Sequence, residues 1–451
     1  MHLEGKTAIV VGLGRSGVAA SRLLIARGAR VIATDAAARD RLSAEALALE
    51  VAGATLAAGG HDSQVFERAD LVIVSPGVPS FPALAAFERT GREVIGELEL
   101  ASRFVSAPIA LIGGTNGKST TTALLGEVLA ADGRRTFVGG NFGVPLAEVA
   151  FEAWDALVVE ISSFQAERVP TLRARVHALL NITDDHLDRY ATFDAYADAK
   201  GNPFASMGEG DVAVVPLGDA RVARQAARGK ARVVTFSSEP GAAADVAPDG
   251  DAIVDRVTGA RYPLSGVRIQ GAHNVANACA AIACASALGA KPASIATALG
   301  SFGGLGHRTA LVGEIDGVRY YDDSKGTNVG ASVAALRGMV EPRAVLIAGG
   351  RDKLGAYEPL VSALRDRGRA LVVIGEAAAR IAEAAHGVVS VEHATSMADA
   401  VARARHLARP GDAVLLSPAC SSFDMFRDYK ERGDRFVDAV RALARGEEVT
   451  S

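Results

Sequence analysis

Ile109-Ala110-Leu111-Ile112-Gly113-Gly114-Thr115-Asn116-Gly117-Lys118-Ser119-Thr120 is an apolar run, a glycine-rich turn and the opening of a helical pattern. An uninterrupted β-type run suits a strand covered on both faces in a parallel sheet. The turn that follows, ending in Gly-Lys-Ser, predicts a phosphate site: backbone amides and the helix dipole face the anion, Lys118 pairs with the terminal phosphates and the Ser119 hydroxyl is placed to hold Mg²⁺. The helix is expected to begin near Thr120. The common spacing requires a glycine five residues before Gly117, where Ile112 stands instead. The loop is therefore a shorter variant of the P-loop.

Working outward, the same order of apolar run, glycines and helical pattern recurs after Thr7 to Val11 and after Ala344 to Ala348. Each is the opening of a βαβ unit, so the chain reads as α/β with three domains. A Rossmann-like N-terminal domain is expected over 1–96, with strands at Ala8 to Val11, Val31 to Ala33 and Leu71 to Val74. A central P-loop ATPase-type domain follows over 97–302, with strands at Ala156 to Ile161, Val176 to Ile182 and Asp211 to Val215. Gly303-Gly304-Leu305-Gly306 reads as a linker into a Rossmann-like C-terminal domain over 303–451. Its strands are Ala344 to Ile347, Leu371 to Ile374 and Ala413 to Leu416. Glu239 to Asp251, rich in Ala, Gly, Pro and Asp, reads as an exposed loop.

With 451 residues the chain is too long for one small binding module. Its 48 basic and 52 acidic residues give a net charge of −4 with no long basic block, and aromatics are 5% of the chain. Nucleic acid is therefore not an expected partner. Cys279, Cys284 and Cys420 form no CxxC pair and suit a reducing compartment. Neither a signal peptide nor an apolar run of spanning length is read, so a cytoplasmic protein without a membrane span is expected. Glycine is the outlier, 48 residues or about 11% against roughly 7% on average. Part of it falls in the glycine-rich turns that follow the apolar runs and in the linker.

Val11-Gly12-Leu13-Gly14-Arg15-Ser16-Gly17 fits the dinucleotide fingerprint, and Asp35 closes the second strand 21 residues after Gly14. Such a turn binds the diphosphate of any nucleotide, so it specifies diphosphate more securely than NAD. Asp35 reads equally as a nucleotide-reading acid and as a solvated strand-end residue. In the central domain Glu160 ends an apolar strand before Ser162-Ser163-Phe164-Gln165. His186 lies just after another, in Thr183-Asp184-Asp185-His186-Leu187-Asp188-Arg189. Carboxyl ends of parallel strands are where open α/β sheets place ligands, which makes both residues metal or phosphate candidates.

Taken together, these residues resemble the Mur ligases of peptidoglycan synthesis. The resemblance runs over essentially the whole chain. It is carried by Gly114-Thr115-Asn116-Gly117-Lys118-Ser119, Gly139-Gly140-Asn141-Phe142-Gly143, Asp184-Asp185-His186-Leu187-Asp188-Arg189, Gly271-Ala272-His273-Asn274 and Asp323-Ser324-Lys325-Gly326-Thr327-Asn328. Ser75-Pro76-Gly77-Val78-Pro79, the first domain and Ser417-Pro418-Ala419-Cys420-Ser421-Ser422 point to the D-glutamate-adding branch.

The resemblance implies ATP-dependent, ADP-forming amide synthesis between the L-alanine carboxylate of UDP-N-acetylmuramoyl-L-alanine and the amine of D-glutamate, through an acyl phosphate. It also implies Lys118, His186 and Lys200 as catalytic residues. Ser119 and Glu160 would hold one Mg²⁺, and His186 with a carbamoylated Lys200 a second. Gly114, Thr115, Asn116, Gly117, Lys118, Ser119 and Thr120 would hold ATP, with Asn274 near adenine, Asp323 and Lys325 at the ribose, and Arg308 at the phosphates once the third domain closes. Gly14, Arg15, Ser16, Asp35, Ser75, Gly77, Asn141 and Ser162 would hold the UDP-substrate. Thr327, Lys353, Ser422 and Tyr429 would hold D-glutamate. A monomer is expected.

Three places depart from the family pattern. Leu305-Gly306-His307-Arg308 stands for the usual Leu-Pro-His-Arg, Gly349 to Lys353 differs around a familiar acid, and Tyr429 stands where relatives often have Phe. Lys200 matches only through a short Ala-Lys context followed by Gly201-Asn202-Pro203, so a solvated lysine is its alternative. Three other functions compete with this reading. A nicotinamide oxidoreductase built on Gly12, Gly14, Gly17 and Asp35 leaves the P-loop unexplained. A related ligase would take another amino acid, and an ATP-driven switch would form no amide.

Overall fold

The computed structural model describes residues 1–186, 189–269, 271–352 and 356–446. Among them the strands form three sheets. The first holds β1 (Thr7–Val11), β2 (Arg30–Asp35), β3 (Thr55–Ala58), β4 (Leu71–Val74) and β5 (Glu93–Ile95), in the order β3-β2-β1-β4-β5 and parallel throughout. This is half of a doubly wound nucleotide fold, whose order reverses beside β1. The glycine turn after β1 lies at that reversal.

The second sheet holds β6 (Ile109–Gly113), β7 (Thr136–Gly140), β8 (Ala156–Glu160), β9 (Val176–Leu179), β10 (Val212–Pro216), β11 (Arg232–Phe236), β12 (Val246–Asp249), β13 (Ala252–Asp255) and β14 (Ala260–Pro263). Their order is β14-β13-β12-β11-β10-β9-β6-β8-β7. Every residue of β6, β8 and β9 is buried, because helices cover both faces. The third sheet holds β15 (Ala310–Ile315), β16 (Val318–Asp322), β17 (Ala344–Gly349), β18 (Gly368–Ile374), β19 (Ser390–His393) and β20 (Ala413–Leu416), in the order β15-β16-β20-β17-β18-β19. It is parallel except for the β15–β16 hairpin.

Several local expectations are corrected. The stretch from Glu239 to Asp251 is not a loop throughout, because β12 lies within it and joins the central sheet to an antiparallel β12-β13-β14 extension. Val246, Ala247 and Pro248 are buried, and two short apolar residues between turn formers carried too little pattern to announce a strand. The strand expected over Val176 to Ile182 stops at Leu179, because Asn181 turns its amide onto the P-loop backbone instead. The P-loop helix, Lys118–Ala131, begins two residues before Thr120.

Candidate active site

The P-loop closes on β6 through glycine geometry. Gly117 takes φ +85° as the residue before helix Lys118–Ala131, and a Cβ there would sit 2.3 Å from Asn277 Oδ1. No other residue fits that position without moving Asn277. Asn181 Oδ1 accepts from the Thr115 and Asn116 amides, at 3.1 and 2.9 Å, and its Nδ2 donates to Asn116 O. Asn181 and Asn277 went unnoticed in the sequence. A polar residue ending an apolar strand was the one available signal for the first.

Glu160, at the end of β8, is 2% exposed. Its Oε2 accepts from Ser119 Oγ at 2.5 Å and its Oε1 from Asn141 Nδ2 at 2.7 Å. Arg308 Nη2 reaches Ser119 Oγ at 2.7 Å, so a side chain of the third domain already touches the P-loop. Lys118 Nζ donates to Thr115 O at 2.9 Å.

Lys200 lies in helix Phe193–Gly201, 5% exposed, with Nζ donating to Gly114 O at 2.8 Å. Burial first, and then the Lys118 charge, push its amine well below the usual lysine range. The solvated alternative for Lys200 is thereby excluded. Nζ sits 4.7 Å from the centre of the Tyr196 ring, and the His186 ring lies 6.4 Å from the same ring. His186 has φ +55° and packs 4.8 Å from Phe164.

A cavity of about 320 Å³ opens between the central and C-terminal sheets. Asn116, Gly117, Thr120, Asn274, Arg308, Asp323 and Lys325 line it. Asp323 accepts from Ser417 Oγ at 2.6 Å and Thr309 N at 3.1 Å, and burial raises its carboxyl to about 7. Lys325 is lowered to about 8 by burial and then by Arg308, and its Nζ stands 3.8 Å over the Tyr429 ring.

A second cavity, also about 320 Å³, lies between the first and central sheets. Gly14, Arg15, Ser16, Ser75 and Asn141 line it, with Gln165. Gly17 lets the helix approach, since a Cβ there would lie 1.9 Å from Gly12 O. Asp35, Gly77 and Ser162 are not among the lining residues. The Asp35 carboxylate accepts from Leu13 N and Ala37 N, at 2.7 and 2.8 Å, and so shapes the loop. Ser162 caps helix Ser163–Ala166 in a reciprocal box with Gln165.

Thr327 and Ser422 belong to two loops joined by the Ala419 N to Gly326 O bond of 2.9 Å. Tyr429 opens helix Tyr429–Ala444, next to Lys325. Lys353 lies outside the described residues.

The residues fit Mg²⁺. Ser119 Oγ and Glu160 Oε2 converge as two hard oxygen donors beside a phosphate loop, and Mg²⁺ typically takes one or two protein oxygens, phosphate oxygens and water.

Comparison with known proteins agrees over the whole length. The Mur ligase MurD-like N-terminal domain matches residues 6–96, the Mur ligase middle domain 112–285, and the Mur ligase glutamate ligase domain 307–420. A UDP-N-acetylmuramoylalanine–D-glutamate ligase of Geobacter metallireducens is 48% identical, over 99% of this chain and 100% of that one. Its counterpart from Geotalea daltonii is 45% identical, again over 99% and 100%. The fold matches a pseudomurein peptide ligase type C of Methanothermus fervidus at TM-score 0.62 and 17% identity, over 97% of this chain and 100% of that one. It also matches a UDP-N-acetylmuramate-alanine ligase of Thermotoga maritima at TM-score 0.59 and 18% identity, over 97% and 100%. A phosphate loop facing one cavity, a glycine turn facing another and domain matches along the chain lead to one conclusion: this chain belongs to the Mur ligase family.

Proposed function

We propose that the chain joins D-glutamate to UDP-N-acetylmuramoyl-L-alanine at the expense of ATP, releasing ADP and phosphate, in peptidoglycan precursor synthesis. The observation that carries this is the position of Glu160. Its one carboxylate is bonded on one side to Ser119 of the P-loop and on the other to Asn141, which lines the cleft between the first and central sheets. A group so placed lies between a nucleotide in one cavity and the carboxylate that accepts its phosphoryl group in the other.

In this reading ATP occupies the cavity of Asn116, Asn274, Arg308, Asp323 and Lys325, while Gly14, Arg15, Ser16 and Ser75 hold the UDP diphosphate. Lys118 and Arg308 supply fixed positive charge where the γ-phosphoryl group passes to the L-alanine carboxylate. Ser119 and Glu160 would hold Mg²⁺, which when bound would supply further charge neutralisation there. The resulting acyl phosphate is attacked by the D-glutamate amine, held by Thr327, Ser422, Tyr429 and Lys353. Buried Lys200, whose amine burial pushes well below the usual lysine range, is suited to carbamoylation, and as a carbamate it would supply an oxygen ligand beside His186 for a second Mg²⁺.

We assign the UDP-substrate domain to 1–96, the ATP domain to 97–302 and the amino-acid domain to 303–451, in a cytoplasmic monomer. Among the described residues no helix is long and apolar enough to cross a membrane. The deciding experiment measures amino-acid-dependent phosphate release with UDP-N-acetylmuramoyl-L-alanine. D-glutamate should support it and L-glutamate or L-alanine should not. A preference for either L-amino acid would refute the specificity, and ATP binding without amide product would refute the reaction.

A further inference from the structure

We propose that Asn328 is a positioning residue that latches the C-terminal domain onto the P-loop and so couples domain closure to the nucleotide cavity. Asn328 directly follows Thr327 and caps helix Val329–Arg337, its Oδ1 accepting from Ala331 N at 2.8 Å. The other end of the same amide crosses between domains. Nδ2 donates to Asn116 Oδ1 at 3.2 Å, in the P-loop, and to Asp185 Oδ2 at 3.1 Å, beside His186.

Asn328 is 7% exposed and does not itself line the nucleotide cavity. It acts through its neighbours. Asn116 is bound back to Asn181 through its own N and O, so a pull on the Asn116 side chain is resisted by the loop after β9. The helix that Asn328 caps approaches closely at the same place, since a Cβ on Gly330 would sit 3.2 Å from Thr183 Oγ1. Opening the domains would strip both acceptors, Asn116 Oδ1 and Asp185 Oδ2, from Asn328 Nδ2. Two buried hydrogen bonds of ordinary worth shift such an opening equilibrium by roughly tenfold. Since the capped helix starts one residue after Thr327, the latch also fixes where the amino-acid loop sits when the P-loop is engaged.

The consequence for turnover rests on the ligase reading above; the latch itself does not. Asn328→Ser and Asn328→Asp separate the latch from the cap, because Ser and Asp both cap helices well and neither donates as an amide does. Asp additionally sets a carboxylate against Asp185. The closed fraction is read by energy transfer between dyes on the central and C-terminal domains of the full chain, without ligand and with a non-hydrolysable ATP analogue. We expect the opening constant to rise about tenfold for Ser and further for Asp, with the KM for ATP rising in step. Unfolding temperature and UDP-substrate affinity should be unchanged. Wild-type closure and KM in both variants would overturn the proposal, as would loss of the fold in the Ser variant, which would make the residue a structural cap. Should the wild type release no phosphate with D-glutamate, the ligase reading fails, and the energy-transfer shift still decides the latch.

Discussion

Ser119 and Glu160 share a 2.5 Å hydrogen bond in which the hydroxyl donates and the carboxylate accepts, and Arg308 donates to the same hydroxyl from the third domain. A metal ligated by both oxygens would replace that proton-sharing contact by two bonds to one cation. Glu160→Gln keeps the size and loses the charge. Phosphate release should fall roughly 100-fold or more, with the Mg²⁺ concentration for half-maximal rate moving upward. A Mg²⁺ titration of both proteins checks this, and an unshifted midpoint would remove Glu160 from the metal site.

Lys118 opens helix Lys118–Ala131 after β6, whereas the cleft proposed for the UDP-substrate lies between the first and central sheets, bounded by Gly14 to Ser16 and Asn141 and without Lys118 in its lining. Lys118→Ala should therefore abolish turnover while UDP-substrate affinity, measured calorimetrically, stays within about twofold, as is usual for separated sites. Loss of both activities would argue against assigning the two ligands to two domains.

How much of this was legible beforehand depended on local signals. The P-loop and its strand were, because a continuous apolar run ending in Gly-Lys-Ser has few alternatives. The strand end at Glu160 was also readable, as an acid closing an apolar run, whereas Asp323 came only through the resemblance. Asn181 and Asn277 were not, because a buried asparagine declares itself only by the backbone or glycine it meets in three dimensions. Asn328 was quoted within a motif, but its reach to Asn116 and Asp185 spans 212 and 143 residues of sequence. The β12-β13-β14 extension escaped notice because Pro, Asp, Arg and Gly interrupt its short apolar stretches before any reaches the length of a readable run.

Lys200 offers a prediction of opposite character, a loss that can be reversed. Its Nζ is buried against Gly114 O beside the P-loop. Lys200→Ala should be slow by roughly 100-fold, and a short carboxylic acid added to the assay should restore part of the rate by supplying the missing oxygen ligand. Absence of rescue combined with wild-type Mg²⁺ dependence would exclude the carbamate role.

Glu97 supplies a test by pH at the junction of the first and central domains. It begins helix Glu97–Ser102 and is 2% exposed. Its Oε1 accepts from Ala147 N at 2.6 Å while its buried Oε2 has no hydrogen-bond partner among the described residues. Burial raises the carboxyl to about 7, with Glu148 adding to the shift. A raised folded-state value means that the neutral acid is favoured in the native protein. Its stabilising contribution is complete below the unfolded value near 4.5 and is lost as pH rises through about 7. Glu97→Gln cannot ionise, so its stability lacks this loss. Between pH 5 and pH 8 wild-type stability should fall relative to the variant by up to about 3 kcal/mol. Thermal melts of both proteins in matched buffers measure the difference, in which all other titrating groups cancel. Parallel curves across that range would mean that Glu97 finds a cation or water when it ionises, and that the junction carries no buried charge.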